Sequence, residues 1–214
     1  MSYGAGAELS RERLGLEVID LYWAHGEDRN TPIEETVDAM GTLVTDGLVR
    51  RLGISNHPTR LVERARGHAL ARGLAPYDAL QLTTSYVEPR PGAAVEGKDH
   101  RFGWVSEETR DYVATNGLEL WAYSPLVQGQ LRPRRPPVPP GLRPPGHDGP
   151  ARGPTTRCRR AQPRPQPWWC SPGLIAERIR PIVGVSTVEQ LDSALAAGAL
   201  DLDIETMQRL TTAG

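Results

Sequence analysis

The residues best equipped for chemistry stand at the ends of short apolar runs. Val18-Ile19-Asp20-Leu21-Tyr22-Trp23-Ala24 delivers His25, an imidazole able to hydrogen-bond or protonate an oxygen that gathers negative charge. Leu52-Gly53-Ile54 delivers Ser55 and Asn56, and Ala79-Leu80 delivers Gln81. Leu120-Trp121-Ala122 leads into Tyr123, Ser124, Pro125 and Leu126, and Pro181-Ile182-Val183 leads into Gly184, Val185 and Ser186, with Gln190 shortly after. Hydroxyls and carboxamides combine donors with acceptors, which suits them to holding a polar group in one orientation. The last turn opens a helix, where amide donors and the helix dipole favour an anion. Taken singly, each motif has a plainer explanation: Ser55-Asn56-His57-Pro58 as a helix-entry turn, Tyr123 as a core aromatic, His25 as a histidine satisfied locally. Their recurrence at successive strand ends makes them a candidate site, because parallel α/β barrels place their chemistry there.

The elements that must position these residues follow from periodicity. Strands are expected near 17–24, 49–54, 79–82, 118–123 and 181–185, alternating with helical stretches in the manner of a parallel sheet joined by crossover helices. Thr31-Pro32-Ile33-Glu34-Glu35 reads as a threonine N-cap with proline at the first helical position. The helix it opens runs to about Asp46, with Ile33, Val37, Met40, Leu43 and Val44 on one stripe and Gly47 as its stop. His57-Pro58 opens a second helix carrying Leu61, Val62, Ala65, Ala69 and Leu70 before Gly73, and Ser106 caps a third that ends near Asn116-Gly117. Thr187 begins a fourth that runs to Ala197, and Asp203-Ile204-Glu205 a last one through Leu210. Thr83 to Val105 reads as a long polar loop, a length that usually marks a lid or substrate wall.

At 214 residues and 38% hydrophobic content the chain can bury a single core, yet a complete eight-unit barrel takes about 250 residues. No apolar run approaches the ~20 residues of a membrane span, and the first residues lack the basic and apolar regions of a signal peptide, so a cytoplasmic location is expected. Cys158 and Cys170 have neither the spacing of a zinc site nor the number for a disulfide framework. A formal charge of −1 points to neither nucleic acid nor membrane as a partner.

That average hides two compositions. Residues 132–173 hold 13 of the 20 prolines, nine arginines, both cysteines and one acid, for a charge of +8, and leave −9 on the remainder. No packed helix or strand tolerates such a bias. One reading is a disordered loop that offers polyproline II around Arg134-Arg135-Pro136-Pro137 to a groove-type partner. The other, the favoured one, is a shifted reading frame, which the genetic code permits. Trp168-Trp169-Cys170 requires TGG TGG TGY, which one base earlier spells Val-Val and permits Val-Val-Leu-Ala-Trp directly before Leu174-Ile175-Ala176.

Together, Ile19-Asp20-Leu21-Tyr22-x-x-His25, Ser55-Asn56, Gln81 and Tyr123-Ser124-Pro125-Leu126 resemble the aldo-keto reductases, over roughly residues 8–131 and 174–214. The resemblance implies an α/β fold, a partial (β/α)8 TIM barrel that lacks the first three β/α units and carries the Pro/Arg-rich stretch as an irregular insert in a single incomplete domain, 1–214. It implies hydride transfer between a nicotinamide and a small-molecule carbonyl or alcohol, with NADP(H) as cofactor, NAD(H) as the alternative, and no metal. His25 matches the histidine that hydrogen-bonds the reacting oxygen. Ser55, Asn56 and Gln81 match the clamp on the nicotinamide carboxamide, Tyr123 the aromatic beneath the ring, and Ser124, Pro125 and Leu126 the turn along the pyrophosphate. Gly184, Val185, Ser186 and Gln190 match the adenosine 2′-phosphate loop, although Val185 and Ala194 stand where the family often has a basic residue and an asparagine.

The family's catalytic aspartate, tyrosine and lysine come from the first three units. Tyr3 and Tyr22 lack the matching context, and Lys98 lies in the long loop. The expectation is therefore a truncated reductase, inactive alone, with an open strand edge that a second polypeptide could complete. Two other readings stay open: a non-catalytic dinucleotide-binding or partner-recruiting module, and a non-functional gene fragment.

Overall fold

Five strands and five helices are defined in the computed structural model, which describes residues 3–84, 103–125, 178–199, 203 and 205. In chain order they are α1 (Tyr3–Leu14), β1 (Ile19–Ala24), α2 (Ile33–Thr45), β2 (Val49–Ser55), α3 (Thr59–Ala71), β3 (Tyr77–Thr83), α4 (Glu107–Asn116), β4 (Glu119–Tyr123), β5 (Ile179–Ile182) and α5 (Val188–Gly198). The strands follow one another in the sheet as β1-β2-β3-β4-β5. The chain divides into two compact units, Met1–Leu82 with Phe102–Leu120, and Thr83–Arg101 with Trp121–Gly214.

In the first unit, β1 pairs with β2 and β2 with β3, both parallel, as the crossover helices require. Register builds rows across the strands. Tyr22 pairs with Leu52 and Leu52 with Tyr77, while Ala24 pairs with Ile54 and Ile54 with Leu80; the hydroxyl of Tyr22 lies against Gly6 of α1, which identifies this as the helix-side face. Trp23 pairs with Gly53 and Gly53 with Ala79 on the opposite face, and Ser55 pairs with Gln81 two residues further along. Leu52, Ile54 and Leu80 are buried, as are Val37, Met40 and Leu43 of α2 and Val62, Ala65 and Ala69 of α3, so the core sits between the sheet and these helices.

The β2–β3 register is irregular at Leu52/Gly53, where Leu52 pairs with Tyr77 and Gly53 with Ala79. Asp78 is thus the extra residue of a bulge, and its carboxylate accepts from Arg51 Nε and Nη2 at 2.8 and 3.1 Å. Arg51 Nη2 also donates to Glu119 of β4 at 3.0 Å, tying the starts of three strands together.

Several local expectations need correction. Pro32, not Thr31, occupies the N-cap of α2, and no side chain caps that helix. The Thr31 hydroxyl donates to Asp28 Oδ2 at 2.8 Å instead, because Asp28 has already closed an Asx turn on the amide of Asn30. β3 begins two residues before the expected start, and β5 spans Ile179–Ile182 instead of 181–185. α1 had no counterpart among the expected elements. The Ser106 and Thr187 caps are present, each accepting from the amide three residues on, and Gly47, Gly73 and Gly117 end their helices with positive φ. Residues 132–173 and nearly all of the expected last helix lie outside the described residues. Among the described residues, no helix is long and apolar enough to cross a membrane.

Candidate functional site

The first unit brings four of the expected residues together. β1 ends at Ala24, so His25 is exposed on the following turn, two residues beyond Trp23. Ser55 closes β2 fully buried, and its register partner Gln81 is half-buried on β3. Asn56 joins them. Its backbone amide donates to the Gln81 carbonyl at 3.2 Å, and its Nδ2 donates to the His25 carbonyl at 3.0 Å and to Ser55 Oγ at 3.1 Å. One residue, through its side chain and its backbone amide, therefore ties the ends of three neighbouring strands.

Asn56 reaches all three because its backbone is left-handed, with φ of 58°. Asparagine tolerates that region better than most residues with a Cβ. Two further residues shape the turn, and neither was singled out from the sequence as part of a site. His57 is buried, with Nδ1 2.7 Å from the Ser55 carbonyl. A carbonyl only accepts, so that nitrogen carries the proton. Gly103 has φ of 132°, and a Cβ there would meet Asn56 Oδ1 at 3.2 Å, so glycine lets the chain pass close to the amide. Trp23 is the third omission: a Cβ on Gly53 would lie 2.5 and 2.7 Å from its Cζ3 and Cδ2 and closer still to Cε3. A glycine inside an apolar strand is the signal that could have found it, since it marks a close approach.

The second unit holds the other expected residues. Tyr123 is half-buried, burial pushes its phenol above the usual range, and its carbonyl accepts from Thr83 Oγ1 at 3.1 Å. Ser124 is left-handed, with φ of 52°, and Pro125 is buried. Leu126 lies outside the described residues. Gly184, Val185 and Ser186 are exposed after β5. At the start of α5 the chain satisfies its own amides: Ser186 N–H donates to Gln190 Oε1 at 2.9 Å, and Gln190 N–H to Thr187 Oγ1 at 3.3 Å. Gln190 is thus a capping group here, and an anion would have to compete with it. Also in this unit, the Arg180 guanidinium lies 5.5 Å from the centroid of the Trp121 ring.

The arrangement in the first unit suits a planar amide. Ser55 Oγ accepts from Asn56 and has its own proton to give, and Gln81 offers donor and acceptor in the same row. Of the tyrosines described in this unit, Tyr22 faces α1, Tyr77 shares the Tyr22 face and Tyr112 donates its hydroxyl proton to Glu63 Oε2, so none of these three joins it as a proton donor.

Comparison with known proteins bears on the family and the fold. The chain is 40% identical over 132 residues to L-glyceraldehyde 3-phosphate reductase of Escherichia coli (strain K12), which takes in 59% of the chain and 33% of that protein. It is 32% identical over 129 residues to glyoxal reductase of Bacillus subtilis (strain 168), which takes in 59% and 38%. The chain thus spans about a third of the length of the curated relatives it matches. Among solved structures, the thermostable aldo-keto reductase Tm1743 matches with a TM-score of 0.73 and 24% identity, over 98% of this chain and 65% of that one. The holo form of aldo-keto reductase AKR11C1 from Bacillus halodurans gives 0.67 and 23%, over 98% and 63%. At these identities the structures speak for the fold, an α/β architecture of the TIM-barrel type. The model of the Aldo/keto reductase family matches residues 4–144, about two thirds of the sequence, and the chain belongs to that family.

Proposed function

We propose that this chain supplies the histidine and the carboxamide clamp of a carbonyl reductase site that works with NADP(H), within a (β/α)8 barrel of which it forms the strands from the fourth onward. The observation that carries the reading is the knot around Asn56, which gathers His25, Ser55 and Gln81 at one row of strand ends. When bound, the nicotinamide supplies the hydride. The chain's own groups do the rest: Ser55, Asn56 and Gln81 hold the carboxamide and so choose which face of the ring meets the substrate. The exposed His25 ring meets the carbonyl oxygen, orients it and stabilises its developing negative charge. Small aldehydes and ketones are the proposed substrates, in keeping with the names of the matched relatives.

The clamp fits a nicotinamide. The turn before α5 gives no such support for the adenosine 2′-phosphate, since the side chains of Gln190 and Thr187 take the amides of Ser186 and Gln190. NADP(H) is preferred to NAD(H) on family resemblance, and binding of the two is the comparison that decides it. The resemblance also assigns no residue of this chain to the catalytic aspartate, tyrosine or lysine. The proposal is therefore that the 214-residue chain binds the cofactor without turnover.

Calorimetry with NADPH and NADH, together with an NADPH-oxidation assay on glyoxal, tests this. Binding that Asn56→Ala weakens, without turnover, is the expected result. Absence of binding would overturn the whole reading, and turnover lost in His25→Ala would overturn the claim of inactivity.

A further inference from the structure

The left-handed turn at Asn56 is held from both sides. Before it stands Ser55, fully buried as the last residue of β2. On the β1 side the ladder goes no further, since β1 ends at Ala24, the partner of Ile54. A buried carbonyl at the end of a ladder has to find another donor. For Ser55 a donor comes from His57, whose Nδ1 lies 2.7 Å from the Ser55 oxygen. That bond closes a ring through both peptides flanking Asn56. His57 is fixed in turn from the other side. It is 4% exposed and precedes Pro58, the N-cap of α3, which steers its backbone away from the helical region. The Pro58 carbonyl accepts from the amides of Leu61 and Val62 at 2.8 and 3.2 Å, so the first turn of α3 sets the chain that carries the imidazole.

We propose that His57 is a positioning residue of the clamp: by donating from Nδ1 to the Ser55 carbonyl it keeps Asn56 in the left-handed conformation from which its amide reaches the His25 carbonyl and Ser55 Oγ. The inference rests on the clamp reading above and adds to it a residue that touches no ligand and acts through Asn56. Without the imidazole donor, the peptide between Ser55 and Asn56 is free to turn, and the carboxamide of Asn56 leaves the row it shares with Gln81. The role belongs to one nitrogen of the ring. An asparagine at this position carries its Nδ2 about where Nδ1 stands, whereas a glutamine carries its nitrogen one bond further out, nearer the place of Nε2.

The test uses the full chain. In calorimetric titration with NADPH, His57→Phe and His57→Gln should each weaken binding about three- to tenfold, the range that one lost hydrogen bond allows, while His57→Asn stays within about twofold of the unsubstituted chain. In an Asn56→Gly background the effect of His57→Phe should shrink below about twofold, because the group it positions is gone. A second measurement needs no ligand. The side-chain amide of Asn56, identified in NMR spectra by its loss in Asn56→Gly, should exchange with water about tenfold faster in His57→Phe, whereas the backbone amide of Ala69, buried within α3, should not. If His57→Phe does not fold, His57→Gln carries both measurements. NADPH affinity unchanged in His57→Phe, a loss that persists undiminished in Asn56→Gly, or equal acceleration of exchange at Ala69 overturns the positioning role and leaves the clamp reading intact. No calorimetric binding of NADPH overturns both.

Discussion

Replacing Gly53 with alanine isolates the contact between β2 and the Trp23 indole. The added Cβ would lie 2.5 and 2.7 Å from Trp23 Cζ3 and Cδ2, where carbon atoms prefer a separation of about 3.5 Å, so the indole must retreat by about 1 Å. Overpacking of this kind costs about 1–3 kcal/mol. Gly53 does not have a positive φ, so alanine fits the backbone and returns about 0.4–1 kcal/mol by restricting the unfolded chain. The expected net loss is about 1–2 kcal/mol, which at a urea m-value of about 2 kcal/mol/M lowers the midpoint by about 0.5–1 M. Gly67 supplies the control. It lies inside α3, is exposed, and has nothing within 4 Å of an added Cβ, so Gly67→Ala should stabilise by about 0.5–1 kcal/mol. Urea unfolding followed by far-ultraviolet circular dichroism should give shifts of opposite sign for the two variants. The Gly53→Ala loss should also shrink when Trp23 is alanine. Equal or greater stability of Gly53→Ala in the unsubstituted background would refute the account of how Trp23 is seated.

The Tyr77 hydroxyl is buried without a hydrogen-bond partner among the described residues, and burial raises its pKa above the usual tyrosine value. The folded state keeps a proton that the unfolded state releases above pH ~10, so stability falls as the pH rises past that point. Tyr77→Phe should leave neutral-pH stability equal or up to about 1 kcal/mol higher and flatten the alkaline loss, as read from unfolding curves between pH 7 and 11. Arg51 and Asp78 are each 40% exposed at the side chain, so a double-mutant cycle with Arg51→Met and Asp78→Asn should give a coupling of only about 0.5–1 kcal/mol, reduced by salt. Asn56→Gly suits the left-handed backbone yet loses the bonds to the His25 carbonyl and Ser55, so it should destabilise by about 1 kcal/mol and speed amide exchange at Gly26; unchanged exchange there would count against the knot.

The parts of the fold legible in the sequence are those that local pattern alone determines. Runs such as Leu52-Gly53-Ile54 and Leu120-Trp121-Ala122 are too short for buried helices and too apolar for loops, and they became β2 and β4. The boundaries that escaped depend on tertiary partners. Asp78 reads as a loop residue and belongs to β3 because Arg51 receives its carboxylate across the bulge. α1 begins with Gly4 and Gly6 and shows no apolar stripe, and what shows in the structure is burial of Ala7 and the fit of Tyr22 against Gly6. The grouping of His25, Ser55 and Gln81 was legible because parallel strands in register end at the same level. The tie that Asn56 makes among them was not, since it needs a left-handed turn that no spacing rule reveals. The same limit applies to Gln190, whose reach back to the amide of Ser186 no spacing rule reveals.

The left-handed residues carry the argument one step further. Asn56 follows β2 and Ser124 follows β4, and both have φ values between 50° and 60°, where glycine would sit without penalty. Arg178 takes the same conformation before β5, with φ of 61°, whereas Gly47, Gly73 and Gly117 take it at three helix ends. Those three glycines have no side chain to present, and a Cβ at any of them would meet nothing within 4 Å. At the two strand ends the chain instead keeps polar side chains at a conformational cost of about 1 kcal/mol each. For Asn56 the compensation is visible in the bonds to His25 and Ser55. An amide held at the level of His25 and Gln81 accords with the carboxamide site proposed above, and it is the choice of asparagine at this turn, more than the presence of the histidine, that favours that proposal.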